Sequence, residues 1–382
     1  MLEPEKDYYG FRTEWIDKET GLKRHFLLNF YPADNTLEMY DLDVNRIFLK
    51  RSLVKNVSLS DFYINNKVII FGRLLIIADY ADLRTKNKLC KRSERAMAII
   101  KPLGMKHVGG IFNILFEHGF TILKCRMVNL TRGQAESLYQ HMHEESYFPL
   151  LIENMIMGPL LAILLMNENA VCALQEAMGP TDPMEARKVS PKSIRALYGE
   201  STIVNVIHGT ADDAELEKNM SLFFPDKYVP TLRTSHQYNN STLCIIKPHA
   251  IKEGIHGDIM HAILDCNFKI TGMEMFYLDM VNAAEFLEVY KGVVPDYTKM
   301  VAQLASGPCI VMEISTPDFH VETPQKFRAF VGPSDPDLAR QLRPTTLRAR
   351  FGKSKVENAI HCTDLPEDGL LEVEYFFKLL QI

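Results

Sequence analysis

The chain of 382 residues lacks the features of membrane, secreted and zinc-scaffold proteins. Its longest apolar run, Leu160–Met166, falls far short of the ~20 residues that a membrane-spanning helix needs. Seven cysteines, an odd number with no Cys-x-x-Cys pair, argue against a disulfide framework and against a zinc ribbon. The opening residues Met1 to Gly10 are charged and carry no apolar stretch, so no signal peptide is expected and the predicted protein is soluble and intracellular. There is no strong charge of one sign: 43 Lys and Arg stand against 48 Asp and Glu, a net charge of −5, which excludes a chain-wide nucleic-acid-binding surface. Residues 1–92 are mildly basic, with 16 Lys and Arg against 13 Asp and Glu, which suits an acidic partner or an ordinary solvated surface. A Gly-x-x-x-x-Gly-Lys-[Ser/Thr] loop is absent, and so are His-Arg-Asp and Asp-Phe-Gly, which excludes P-loop enzymes and protein kinases. No carboxylate cluster has the spacing of a two-metal site, so a nuclease has no independent support.

What is present is ordinary globular composition, 47% hydrophobic and 24% charged, in a chain long enough for two or three domains. The first ninety residues alternate short apolar runs with turn residues. Val68–Phe71 and Leu74–Ile77 are joined at Gly72–Arg73, and Phe26–Tyr31 is separated from Leu37–Tyr40 by Pro32–Ala33–Asp34–Asn35. This texture predicts a small all-β module over residues 1–92 with no chemistry of its own. From Glu94 strands and helices alternate. Ala96–Ile100 reads as a buried strand, Val108, Ile111, Phe112, Leu115 and Phe116 lie on one helical face stopped at Gly119, and Thr131–Gln134 reads as a capping box.

The most informative feature is a repeat. Leu243 to Pro248 repeats the strand ending in Lys101–Pro102, and Gly307–Pro308 repeats Gly158–Pro159. Gly332–Pro333–Ser334–Asp335–Pro336 repeats Gly179–Pro180–Thr181–Asp182–Pro183. Arg348, Asn358, His361 and Phe376–Phe377 repeat Arg195, Asn205, His208 and Phe223–Phe224. The offset drifts early and then locks at 153 from Gly179 to Phe224, as duplication with loop insertions leaves it. A unit of about 130 residues is too large for a solenoid, so each copy is expected to be a domain: 93–224 and 241–382, joined by a linker over 225–240.

Lys, Arg, Asn and His at matched positions point to phosphate chemistry. Ammonium and guanidinium groups neutralise phosphate charge, and a neutral imidazole is a nucleophile toward phosphorus. Thr210 and Thr363, just after the histidines, read as N-caps that bring a positive helix end near a bound anion. The remaining histidines, among them His107, His118, His141, His143 and His256, read as packed or surface residues. Cys90, Cys125, Cys172 and Cys266 read as core or surface thiols.

With these motifs in view, each copy resembles a nucleoside diphosphate kinase domain: strand-terminal Ile-Lys-Pro, the Gly-x-[Thr/Ser]-x-Pro loop, [Ile/Leu]-Arg, Asn-x-[Ile/Val]-His and a final helix ending in Phe-Phe. Residues 1–92, with Phe30 to Asn35 and Phe48 to Arg51, resemble the DM-ten domain of ciliary proteins. The resemblance implies a multidomain chain, a small all-β N-terminal module followed by two α/β ferredoxin-like (α+β sandwich) domains. It also implies ping-pong transfer through a phosphohistidine and Mg2+-bound nucleotides as substrates, the metal being carried by the phosphates. In the second copy it implies His361 as nucleophile and Glu372 as its orienting carboxylate. Lys247, Tyr290, Arg328, Ser334, Arg348 and Asn358 would be nucleotide ligands. Tyr290 to Tyr297 is shorter than the family spacing, and Cys362 replaces the glycine after the histidine. In the first copy the matches are His208, Lys101, Tyr139, Thr181, Arg195 and Asn205, with Tyr147–Phe148 as an aromatic clamp. Gln175 replaces a phosphate-binding arginine and Asn219 replaces the orienting glutamate. Loss of one charged transition-state ligand costs ~3 kcal/mol, roughly a hundredfold in rate, so the first copy is expected to turn over poorly.

The resemblance further implies a cytoplasmic, cytoskeletal protein of cilium or flagellum axonemes. Its partners would be tubulin in doublet microtubules and other axonemal proteins, with the centrosome and the gamma-tubulin complex as a second setting. A catalytically silent architectural role and a fully active kinase are the competing readings. A linker of ~16 residues spans ~50 Å, enough for the two copies to form an intramolecular pseudo-dimer.

Overall fold

A computed structural model of the chain describes residues 8–16, 21–55, 57–64, 66–89, 94–225, 232–318 and 322–380. Cys90, most of the charged opening segment and residues 226–231 of the expected linker lie outside them. The chain divides into two compact units, residues 1–93 with 277–308, and residues 94–276 with 309–382.

In the first unit, apolar side chains recur at every second position, which places them on one face of each strand. Phe11 on β1 (Tyr9–Ile16), Phe26, Leu28 and Phe30 on β2 (Lys23–Tyr31), and Leu37 and Met39 on β3 (Thr36–Asp41) are all buried. With β4 (Arg46–Leu53), β5 (Lys67–Ile70) and β6 (Arg73–Tyr80) they form an antiparallel sheet in the order β4-β3-β2-β1-β6-β5. The β5–β6 hairpin turns one residue earlier than the sequence suggested. Ile70 pairs with Arg73, and the two-residue turn is Phe71–Gly72, both at positive φ (46° and 80°). A tight hairpin needs that handedness at both central positions, and glycine marks only the second. A short helix, Leu83–Leu89, closes the module and adds Leu89 to its core. Its seven residues carry little apolar periodicity, which is why the sequence read as strands alone. The same unit contains the helices Met280–Phe286 and Tyr297–Leu304 from the second kinase-like copy.

The second unit is built on one long sheet. In the first copy, β7 (Glu94–Ile100), β8 (Thr121–Asn129), β9 (Leu160–Asn167) and β10 (Ile207–Gly209) run in the order β10-β7-β9-β8. The two inner strands are apolar along nearly their whole length because both faces are covered. The short β11 (Arg233–Thr234) pairs with β8. In the second copy, β12 (Ser241–Ile246), β13 (Lys269–Tyr277), β14 (Pro308–Ser315) and β15 (Ile360–Cys362) run in the order β13-β14-β12-β15, the same arrangement. Strands one, two, three and four of each copy thus lie in the order 4-1-3-2, the ferredoxin-like arrangement, and the predicted fold class is what the structure has.

The copies join edge to edge. Arg126 on β8 pairs with Glu274 on β13, and the Arg126 guanidinium donates to Glu274 Oε1 from Nε (2.9 Å) and Nη2 (2.6 Å). Above this joint the helices Val108–Glu117 and His256–Asp265 pack so closely that a Cβ on Gly109 would lie 2.5 Å from the Gly257 carbonyl oxygen. Asn113 Nδ2 donates to Asp258 Oδ1 at 2.7 Å across the same contact. The capping box at Thr131 and Gln134 forms as predicted.

The segment read as a polar linker takes part in this joint over its described residues. Beyond β11, the amides of Gln237 and Tyr238 donate to the carboxylate of Glu313, which is fully buried on β14 and also accepts from Ser241 and Thr271. Burial alone would raise the Glu313 pKa. The His236 ring 3.6 Å away and the hydrogen bonds from Gln237, Thr271 and Ser241 outweigh it and hold the value at about 2.

Gly109→Val should therefore destabilise the full chain by about 1–3 kcal/mol, since the added atoms meet backbone that has no room to move. Denaturant unfolding checks this, and an unchanged midpoint would contradict the close helix contact.

Candidate functional site

In both copies the site forms where the first strand ends beside the last. β7 stops at Ile100, and Lys101 opens the following 3-10 turn with Pro102 at its first position. β12 stops at Ile246, and Lys247–Pro248 opens a short helix in the same way. Each histidine sits at the centre of a three-residue edge strand, with His208 paired to Ile99 and His361 to Ile245. Alternation along the strand then turns the flanking residues to the other face.

One feature of the backbone had no signal in the sequence. Val206 (φ 63°) and Ala359 (φ 68°) occupy the left-handed region, between the conserved-spacing Asn and the His of each copy. The Ile207 amide donates to the Asn205 carbonyl at 2.8 Å and the Ile360 amide to the Asn358 carbonyl at 2.8 Å, which closes a γ-turn of the strained hand around each. A β-branched valine at positive φ costs on the order of 1–3 kcal/mol, and it recurs where a strained turn aims functional side chains. No residue type announces it, because neither position is a glycine.

The cations are held by matching carbonyls. Arg195, on the helix Ile194–Tyr198, donates from Nη1 to Gly179 O (2.8 Å) and from Nη2 to Ile207 O (3.1 Å). Arg348, on Leu347–Phe351, donates from Nη1 to Gly332 O (3.0 Å) and from Nε to Ile360 O (3.1 Å). Lys101 Nζ reaches Ile203 O at 3.5 Å and Lys247 Nζ reaches Val356 O at 3.0 Å. Asn205 Nδ2 donates to the Thr181 carbonyl (3.4 Å) and Asn358 Nδ2 to the Ser334 carbonyl (3.0 Å). Burial, with the neighbouring arginine adding to it, pushes both lysines down to about 7. Among the described residues neither forms an ion pair with a carboxylate, and the Glu357 charge offsets only part of the shift at Lys247.

His208 Nε2 lies 2.9 Å from Glu215 Oε1, and His361 Nε2 lies 3.1 Å from Glu372 Oε2. A carboxylate only accepts, so Nε2 carries a proton in each ring, and in a neutral ring Nδ1 then holds the lone pair. Burial lowers the His208 pKa below the ordinary histidine value, against the hydrogen bond to Glu215 that would raise it, so the ring is neutral at pH 7. The expectation for Asn219 is corrected here: the first copy does supply a carboxylate to its histidine, from Glu215, while Asn219 is buried and neither of its side-chain polar atoms is hydrogen-bonded among the described residues. The threonines are corrected too. The cap of the helix Asp213–Phe223 is Asp212, whereas the buried Thr210 hydroxyl accepts from the Met97 amide (3.0 Å) and ties β10 to β7. Thr363 donates to Glu372 Oε2 at 2.9 Å and so steadies the carboxylate. Both follow their strand too closely to have left the sheet.

In the first copy these residues line a cavity of about 430 Å3. Lys101, Tyr139, Tyr147, Gln175, Thr181, Arg195, Asn205, His208 and Glu215 are in its wall. Phe148, the other half of the expected clamp, is absent from that wall, whereas His141, read as a structural residue, is part of it. Tyr139 stands edge-on to His208, ring centres 5.2 Å apart, with Lys101 Nζ 5.8 Å from the phenol ring centre. Several buried polar atoms around the cavity have no partner among the described residues: Tyr139 Oη, Arg195 Nε and Asn205 Oδ1. Donors and acceptors left over in a cationic cavity fit an oxygen-rich anion with sugar hydroxyls. In the second copy Arg328, on the helix Thr323–Val331, forms an ion pair with Asp364, and Ser334 is exposed in its loop. Cys362 is buried, and that burial pushes its thiol pKa up, which makes it a packing residue rather than a reactive one. Tyr290 closes the 3-10 turn Glu288–Tyr290, and Tyr297 Oη donates to Ala284 O at 3.1 Å; both belong to the first unit.

The fold and the twice-repeated set of Lys, Arg, Asn, His and carboxylate define one class of protein. The sequence profile described as "Nucleoside diphosphate kinase" matches residues 94–229 and 240–382, and the chain belongs to the nucleoside diphosphate kinase family, with two kinase-type domains in tandem. It is similar to nucleoside diphosphate kinase homolog 7 of Rattus norvegicus (43% identical) and of Mus musculus (44%), over 98% of this chain and 94% of each relative. A crystal structure of the Aquifex aeolicus nucleoside diphosphate kinase is 34% identical over 36% of this chain and 99% of that one, with a TM-score of 0.34.

Two outcomes follow from the site. At pH 8 the unliganded lysines, at about 7, are mostly neutral, and a bound phosphate pulls the proton back, so nucleotide binding should take up protons. Calorimetry in buffers of different ionisation enthalpy measures that uptake, and proton release would contradict the assignment. Tyr139→Phe removes a buried hydroxyl without a partner, so it should leave stability unchanged or raise it by about 1 kcal/mol while weakening nucleotide binding.

Proposed function

We propose that this chain is a phosphohistidine phosphotransferase of the nucleoside diphosphate kinase type, working through His361 and His208. Its turnover is weak or confined to autophosphorylation, and its main place is in the microtubules of cilia and flagella. The observation that carries the chemical part is the repeated hydrogen bond from imidazole Nε2 to a carboxylate beside a buried lysine and an arginine. The substrate is a Mg2+-bound nucleoside triphosphate. The Nδ1 lone pair attacks the γ-phosphorus, the bond from that phosphorus to the bridging oxygen breaks, and the diphosphate leaves with the electron pair. A second nucleoside diphosphate then takes the phosphoryl group from the histidine by the reverse path. Lys and Arg offset the charge that builds on the phosphate oxygens.

The microtubule part is supported by the N-terminal six-stranded module, whose sequence resembles the DM-ten domain of ciliary proteins. On this reading the chain is a cytoplasmic and cytoskeletal protein of axonemal doublet microtubules, with tubulin as partner and the gamma-tubulin complex at the centrosome as a second setting.

Incubation with labelled ATP and Mg2+ should give an acid-labile, base-stable phosphoprotein, and His208→Ala/His361→Ala should abolish it. An unlabelled wild-type chain would defeat the phosphotransfer reading. Retention of the folded double variant in axonemes would assign the microtubule role to the architecture, and its loss would tie that role to the histidines.

A further inference from the structure

The duplication pairs Glu372 with position 219, yet the carboxylate on His208 comes from four residues earlier on the same helix. Residues four apart share a helix face about one turn, about 6 Å, from each other, so a carboxylate at 215 approaches the ring from the same side as one at 219. Glu215 is held at both oxygens: Oε1 is on His208 Nε2, and Oε2 accepts the Ala211 amide at 2.8 Å. Its own amide is capped by Asp212 Oδ1 at 2.8 Å, which fixes the first turn of the helix that carries it. In the second copy Glu372 gains its second hold differently, from the Thr363 hydroxyl at 2.9 Å. Asn219, at the position matched to Glu372, is buried, and neither its amide oxygen nor its nitrogen is hydrogen-bonded among the described residues.

Neighbouring positions changed with it. The second copy has Asp364 paired with Arg328, and the matched positions in the first copy are Ala211 and Gln175. An aspartate at 211 would set a second carboxylate beside Glu215, and without it an arginine at 175 would lose its partner. The first copy thus lost one positive and one negative charge together, and its histidine kept its carboxylate.

We propose that Glu215 is the positioning residue for His208, having taken over from position 219 the task of holding the proton on Nε2 and the lone pair on Nδ1. The inference rests on the phosphohistidine reading of the site, and it makes the first copy a working nucleophile rather than a remnant. A glutamine at 215 keeps the size, but the Ala211 amide can only donate and so claims its one carbonyl oxygen, which leaves the NH2 group facing Nε2; that favours the opposite tautomer and protonates the attacking atom.

Two-bond 1H–15N correlations of the full chain, labelled at histidine, read the tautomer whether or not the protein turns over. The wild type should show His208 protonated at Nε2, and Glu215→Gln should shift it toward Nδ1–H; an unchanged His208 spectrum in a folded Glu215→Gln chain overturns the proposal. In a His361→Ala background, Glu215→Gln should slow labelling of His208 by about 10–100-fold, and Glu215→Gln/Asn219→Glu should recover most of that rate. Labelling of Glu215→Gln at the parent rate, or a double variant no faster than Glu215→Gln, overturns the exchange between the two positions. Absence of label in the His361→Ala parent itself defeats phosphotransfer at the first copy, and the tautomer spectra then decide the role of Glu215 alone.

Discussion

The hydrogen bond between imidazole Nε2 and a helical carboxylate is the interaction on which both sites depend. It works because the ring cannot turn away from it. Each histidine is centred in a three-residue strand that is paired to the first strand of its domain, and that strand is entered through a γ-turn at positive φ. In the first copy the turn brings the asparagine and the histidine to the wall of one cavity. The lysine amide of the first strand closes the same turn from outside, accepting no freedom there: Lys101 N donates to Val206 O and Lys247 N to Ala359 O. Nucleophile, cation and asparagine are therefore set by one short stretch of backbone, and strain in that stretch is offset by the sheet around it.

The second constraint is the joint between the copies. Two four-stranded sheets become one because β8 and β13 meet at the edge, the Arg126–Glu274 pair neutralises the strands where they touch, and two helices approach at glycines above them. The connector is built into this arrangement through β11 and through the amides that Glu313 holds. A buried carboxylate is tolerable there because every hydrogen bond it needs is supplied by groups fixed in the sheet and the connector. His256 lies at the same joint, against Phe112 and Phe116, and burial pushes its pKa down to about 4, so it packs as a neutral ring.

Much of this was legible from residue order. The duplication exposed the paired Lys, Arg, Asn and His, because a constant offset of 153 is a pattern that solvent and packing cannot produce by chance in one chain. The capping box at Thr131 was readable since its two residues, three apart in the chain, bond to each other's backbone. The helix Leu83–Leu89 was not, having too little apolar rhythm to distinguish it from the strands before it. The threonines after the histidines looked like caps because cap and strand-tying hydroxyls use the same residue. His141 looked like an ordinary surface histidine because the turn Gln140–Met142 that carries it to the cavity wall has no periodicity to read.

The sequence alone determined which chemical groups are available and that they come twice, since identity and spacing are covalent facts. Tertiary structure decided which of them meet. Asn219 and Glu215 are one helical turn apart, and alignment of the copies favours the first, but the folded chain brings the second to His208. A separation of four residues along the chain says nothing of which one faces the ring, because that depends on where the helix begins, and Asp212 starts it where Glu215 comes into reach.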